Sequence, residues 1–353
     1  MFKDMQTNSS SFKLFLLFLM VVQNSSVVLI GRYTRDSSEK EDLYVVNHLI
    51  LVCECMKFFF ACILEYSVTG GQLYKSFKEN IFDAPLDALK IMIPSLLYLF
   101  QNTLLYVALS NLSAPMFQVT YQSKLLTTAI VSVIMLQRKY SPKQWVCLTT
   151  LGFGVAIVVL GAKESKPDEE AAGSSGQSLA TGLIAVSCAC FSSALAGVYF
   201  EKVLKKPTSE GGQQKAPVSL WMRNIQMAFF SVCIAMFNNY GSIGIDEVDQ
   251  AKKFCHGFTF WVWTLTLFQA GGGLLVAAVI KYADNVLKGL ATGVSVVTST
   301  ACSMVLFGTP LTGQFGAGAM IILASVFFFS NDIPGSKKEK DADEEKPLAD
   351  NKV

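Results

Sequence analysis

Lys124 lies near the middle of an apolar stretch, 113–136, that contains no Asp or Glu, and the preceding stretch, 89–111, contains none either. A lysine inside hydrocarbon costs at least ~2.5–3.5 kcal/mol, so its ammonium must face a counter-charge or a wet cavity. Two readings are open to it: a long-range pair with Glu54, or an anion that arrives as ligand. Gln118, Thr120, Tyr121, Gln122, Thr127 and Thr128 surround it with hydrogen-bonding groups, and Gln101 and Asn102 add an amide pair in the stretch before. A second cluster, Lys281, Asp284, Asn285 and Lys288, falls in the segment YADNVLKG. There Asp284 is expected to cap a helix while Lys288, one turn in, turns toward the same cavity, the alternative being a solvated turn with snorkelling lysines. Glu54 and Lys57, three residues apart, pair on one helical face. Arg223 reads as an interfacial anchor, with Asn224 and Gln226 pointing deeper. This is chemistry for holding an anion, without bond making. His48 and His256 are the only histidines, there is no HExxH and no P-loop lysine, and no metal-ligand spacing occurs, so neither enzyme nor metal nor cofactor is expected.

Such residues need a frame, and composition says which. Of 353 residues 52% are hydrophobic and only 16% charged, with mean hydropathy +0.41. A typical soluble chain carries about 25% charged residues, so this chain cannot cover a water-facing exterior. About 20 apolar residues span the hydrocarbon, and ten such stretches are present: 12–31, 44–65, 89–111, 113–136, 143–161, 178–200, 220–240, 258–280, 285–307 and 312–330. Backbone amides cannot stay unpaired in lipid, so these are helices, and the chain is an all-α polytopic membrane protein. The polar centre of the first stretch (Gln23, Asn24, Ser25, Ser26) argues against a signal peptide.

An even number of spans puts both ends on one side. Nineteen of the 29 basic residues then fall on the side of the termini and seven on the other, which makes the termini cytosolic. The sequence divides into a cytosolic N-terminus (1–11), a first five-helix repeat (12–161), a luminal linker (162–177), a second repeat (178–330) and a disordered cytosolic tail (331–353). The segment 201–219 reads as a further flexible linker. The nine cysteines read as small apolar packing residues, and the sequons at Asn8, Asn24 and Asn111 look unusable. A net charge of +2 with scattered basic residues gives no reason to expect nucleic acid.

The halves echo each other: Phe100-Gln101 and Phe268-Gln269 each open a series of short turn, Thr/Ser-rich span, brief loop and Gly-rich span. Five spans per half would enter the membrane in opposite senses, giving two inverted five-helix repeats with a site at their interface, as in many transporters. Gly271–Gly273 and Gly313, Gly316 and Gly318 are expected to give small faces for close helix packing.

Four ordered blocks carry a resemblance. FQNTLLYVALSNLSAPMFQVTYQSKLLTTA (100–129), GVYFEKVLK (197–205), SLWMRNIQ (219–226) and GGLLVAAVIKYADNVLKG (272–289) resemble the Golgi nucleotide-sugar transporters of the drug/metabolite transporter superfamily. The resemblance covers 12–330 and implies ten helices and import of a nucleotide sugar into the Golgi lumen in exchange for the nucleoside monophosphate. VVQN in the first span, Phe117 and GGLLVA are similar to the UDP-galactose and UDP-N-acetylglucosamine branch; the CMP-sialic acid branch usually has tyrosine at the position of Phe117. Carried over, the nucleotide site includes Asn102, Tyr121, Lys124, Ser193, Asn224 and Lys288; Gln101 and Phe117 complete the expected substrate site. Thr103 and Ser123 depart from the family pattern at positions that bear on sugar selectivity. The expected partners are UDP-sugar and UMP, the bilayer, and a homodimer or glycosyltransferases. The competing readings are a CMP-sialic acid or other phosphorylated-metabolite carrier of the same fold, and a non-transporting Golgi scaffold for glycosyltransferases.

Overall fold

The computed structural model describes residues 10–36, 42–112, 114–163, 178–205, 208–210, 213–215, 218–240, 253–308 and 313–330. The first nine residues, most of the linker 162–177 and the tail from 331 lie outside the described residues. Thirteen α-helices are described: α1 (Ser10–Asp36), α2 (Val46–Val68), α3 (Leu73–Phe77), α4 (Pro85–Leu89), α5 (Met92–Asn111), α6 (Ala114–Tyr121), α7 (Ser123–Leu136), α8 (Pro142–Lys163), α9 (Leu179–Lys205), α10 (Leu220–Tyr240), α11 (Phe260–Tyr282), α12 (Asn285–Phe307) and α13 (Gly313–Ser330). A π-helical turn, Lys78–Phe82, joins α3 to α4. By length and composition eight helical segments can cross a membrane, and Ser123–Leu136 is a shorter apolar helix. The 23-residue α2 is long enough as well, though Glu54, Lys57 and Glu65 interrupt its apolar run. Ten spans are compatible with this set.

Two expectations are corrected. The fourth span is not one helix, because the helix lapses at Gln122 between α6 and α7. The Tyr121 carbonyl lies 3.7 Å from the Cys190 thiol of α9, and the Leu125 amide donates to Gln122 instead, three residues back. Hydroxyls of Thr120, Thr127 and Thr128 bond back to carbonyls four residues earlier, a pattern that bends helices. Parts of 201–219 are also ordered where a flexible linker is expected: α9 continues to Lys205, and Thr208–Glu210 pairs antiparallel with Gln213–Lys215.

The helices pack in a pattern that repeats when the chain is advanced by five spans. α5 lies on α9 as α11 lies on α1, and α7 lies on α9 as α12 lies on α1. α2 packs on its counterpart α10, and α8 on its counterpart α13. The polar centre of α1 is used inside the bundle: Gln23 donates to the Phe268 carbonyl at 3.1 Å, and the buried Ser25 to the Ser295 carbonyl at 3.2 Å. The α8–α13 contact is made by glycine. A Cβ on Gly318 would meet the Gly154 carbonyl at 2.8 Å, and one on Gly154 would meet Ile321 and Ile322 at 2.9 Å. Gly272 and Gly273 are likewise filled, by Gln23 and Lys57, whereas Gly271, Gly313 and Gly316 have nothing within 4 Å and do not serve packing as expected.

Candidate functional site

The break at Gln122 places the start of α7 beside the start of α12, and a cavity of about 190 Å³ opens between them, with α8 and α9 completing its wall. Its polar lining includes Tyr121, Lys124, Thr128, Ser193, Asn285 and Lys288. Lys124 donates to the Tyr121 hydroxyl at 3.0 Å and lies 5.1 Å from the centre of the same ring. Phe117 stacks on Tyr121 from behind, with centroids 5.6 Å apart and planes 11° off parallel. Gln101 reaches the Tyr121 hydroxyl only through a long 3.5 Å contact. Two buried carbonyl oxygens, Oε1 of Gln101 and Oδ1 of Asn285, have no hydrogen-bond partner among the described residues. A buried polar atom left unpaired costs roughly 1–3 kcal/mol, which a ligand in the cavity could recover at Asn285, the one of the two that lines it.

Neither Lys124 nor Lys288 has a carboxylate within ion-pair distance among the described residues. Glu54, the alternative partner for Lys124, is taken by Lys57 at 2.7 Å, as the three-residue spacing predicts. Asp284 caps α12 by accepting the Leu287 amide at 2.6 Å, which holds Lys288 one turn in and aimed at the cavity. The result is two ammonium groups facing one small, half-enclosed space, a receptor for an anion with more than one charge. Drug-sized ligands need about 300–1,000 Å³, so the cavity has room for the charged end of such a ligand and not for the whole of it.

Of the residues expected at the site, Tyr121, Lys124, Ser193 and Lys288 meet at the cavity, and Phe117 and Gln101 support Tyr121. Asn102 is exposed on α5 and does not line it. Asn224 is buried on α10 with its amide donating to the Leu220 carbonyl at 2.9 Å, away from the cavity. Gln226 donates to the Asn80 carbonyl at 3.0 Å. Arg223 is not an interfacial anchor: it is 2% exposed and pairs with Asp87 of α4 at 2.5 Å. The segment between α2 and α5 folds back under α10, which buries this arginine.

Sequence reasoning passed over Asn285 as a ligand group and missed Glu201 and Arg138 altogether. Glu201, fully buried at the end of α9, accepts from Arg138 at 2.5 Å, from Lys205 at 2.7 Å and from the Asn285 amide at 3.1 Å. Arg138 also pairs with Asp284 at 2.8 Å. The one available signal was an acid four residues before a lysine inside GVYFEKVLK.

A family profile described as Nucleotide-sugar transporter matches residues 8–330. The chain is 39% identical over 329 residues to a UDP-N-acetylglucosamine transporter of Canis lupus familiaris, covering 92% of this chain and 97% of that one. It is 40% identical over 321 residues to the UDP-N-acetylglucosamine transporter of Homo sapiens, covering 90% and 94%. It is also 40% identical over 322 residues to a UDP-galactose translocator of Mus musculus, covering 89% of this chain and 77% of the translocator. A crystal structure of 13% identity shares the fold, with a TM-score of 0.62 over 91% of this chain and 96% of the other.

Proposed function

Because the chain belongs to the nucleotide-sugar transporter family, we propose that it carries a UDP-sugar, UDP-galactose or UDP-N-acetylglucosamine, across the Golgi membrane into the lumen in exchange for UMP. The observation that carries this reading is the pair of lysines without carboxylates, Lys124 and Lys288, brought to one cavity from opposite halves of the chain. A UDP-sugar presents a diphosphate with two negative charges, which two ammonium groups match. The uracil and ribose would lie against Tyr121, with Phe117 behind it and Ser193 and Asn285 supplying hydrogen bonds. Both termini face the cytosol in this arrangement.

Exchange follows from the same charges. UMP is smaller but still anionic, so it compensates the lysines on the return journey. An empty carrier would have to turn over with two uncompensated ammonium groups in a low-dielectric interior, where unpaired charge costs several kcal/mol. The test is reconstitution of purified protein in vesicles loaded with UMP. Labelled UDP-sugar should enter, and UDP-sugars should compete better than CMP- or GDP-sugars. Equal uptake into vesicles with no internal nucleotide would overturn obligatory exchange, and absence of any nucleotide-sugar uptake would overturn the transport reading.

A further inference from the structure

At the start of α12 the cavity ends on a charge cluster that no ligand role accounts for. Arg138 follows α7, whose last turn closes on left-handed Gln137 (φ 54°). Its guanidinium reaches across to Glu201 of α9 and Asp284 of α12, at 2.5 and 2.8 Å. Burial works against the charge on Arg138, but Asp284, Tyr140 and Glu201 more than offset it and hold the group above its ordinary range. The cluster shares a wall with the cavity, since the second oxygen of Glu201 accepts the amide of Asn285.

The other end of the bundle has a counterpart. α1 and α9 are both 27 residues long, and Arg32 stands as far from the end of α1 as Glu201 does from the end of α9. α1 packs on α12 as α9 packs on α7, and α12 also closes on a left-handed residue, Gly308 (φ 63°). Arg32 donates to the Ser303 hydroxyl and lies 4.5 Å from the ring centre of Phe307. Both contacts join an element of the first half to an element of the second.

We propose that Arg138, with Glu201 and Asp284, is the gate that closes this cavity toward the membrane face bearing the α7–α8 turn, and that Arg32, with Ser303 and Phe307, closes the opposite face. The inference rests on the transport reading of the cavity. Separating the halves at one end breaks only the contacts that cross between them. When Arg138 withdraws, Glu201 keeps Lys205 and the Asn285 amide, and Asp284 keeps the Leu287 amide. Removing a partner from a buried ion pair is ordinarily prohibitive because a bare charge is left behind. Here neither carboxylate is left bare, so the gate opens without that penalty.

The test reads access to the cavity directly. Thr292→Cys, which lines the cavity, is labelled in sealed vesicles with a small membrane-impermeant thiol reagent, against the background of the same chain without the added cysteine. Arg138→Ala should raise labelling at least threefold from the face that carries the α7–α8 turn and not from the other. Asp284→Asn, which keeps the helix cap, should shift it in the same direction, and Arg138→Lys should stay near the parent. Arg32→Ala should raise labelling from the opposite face. UMP affinity of purified Arg138→Ala should remain within about threefold of wild type. Unchanged labelling in Arg138→Ala and Asp284→Asn, or an equal rise from both faces, would overturn the gate. Normal UDP-sugar exchange with unchanged labelling sinks the gate alone, whereas the expected labelling in a protein that moves no nucleotide sugar sinks the transport reading and leaves the gate standing.

Discussion

Lys124 and Lys288 face each other's space across one cavity, the first tethered to the Tyr121 hydroxyl at 3.0 Å and the second with no side-chain hydrogen bond among the described residues. Each belongs to a different half of the chain.

Lys124→Ala and Lys288→Ala should each weaken UMP binding ten- to a hundredfold, the worth of one charge-assisted contact at roughly 1.5–3 kcal/mol. Isothermal titration of purified variants measures it. Lys57→Ala is the control: its ammonium is spent on Glu54 at 2.7 Å, so yield should fall more than affinity. Wild-type affinity in Lys124→Ala would make that lysine structural.

Uridine should be preferred to cytidine. Phe117 gives Tyr121 an apolar stacking surface and offers no hydroxyl to a base. One such group is worth ~1–3 kcal/mol in discrimination, so UMP should inhibit uptake about tenfold better than CMP. Equal inhibition by the two nucleotides would refute it.

Arg223→Met should destabilise the protein strongly without touching the cavity. It strands Asp87, 5% exposed, inside the fold. Breaking such a pair costs ~3–5 kcal/mol, toward the lower end here because Lys90 still reaches Asp87 at 3.0 Å. Thermal unfolding in detergent reports the loss, and UMP affinity of the folded fraction should be unchanged.

Gly318→Ala should cost about 1–3 kcal/mol, the price of forcing a methyl group into a filled interface. The new carbon would meet Val158 at 2.7 Å and the Gly154 carbonyl at 2.8 Å. Gly316→Ala, with nothing within 4 Å, should be neutral or slightly stabilising in the same assay.

An epitope placed after Val353 should be removed by protease added outside sealed Golgi vesicles if both termini are cytosolic, as the basic asymmetry predicts. A protected epitope would invert the orientation.

What the sequence made legible were charges in the wrong solvent. Lys124, Lys288 and the pair Glu54–Lys57 stand out because apolar surroundings make every ionised group conspicuous, and Asp284 because Asp before a helical run is a cap. Glu201 and Arg138 were invisible for the opposite reason: at helix ends, charges are ordinary, and only the folded chain shows that these are buried against each other. Asn224 illustrates the converse error. An amide near the start of a span looks like a ligand group, yet its nitrogen donates within its own helix to the Leu220 carbonyl. The break at Gln122 carries neither Gly nor Pro to announce it, and the Tyr121 carbonyl beside it meets the Cys190 thiol of another helix, a contact that only the folded chain shows.

That break bends the chain without making a second helix start, since Gln122 keeps an αR backbone and α6 ends directly against α7. The helix N-terminus the cavity receives is that of α12 at Asn285, whose aligned peptide dipoles act as about half a positive charge. This part of the attraction for an anion belongs to the peptide groups themselves. It does not titrate, no side-chain substitution deletes it, and it leaves a residual electrostatic basin for phosphate in either lysine variant.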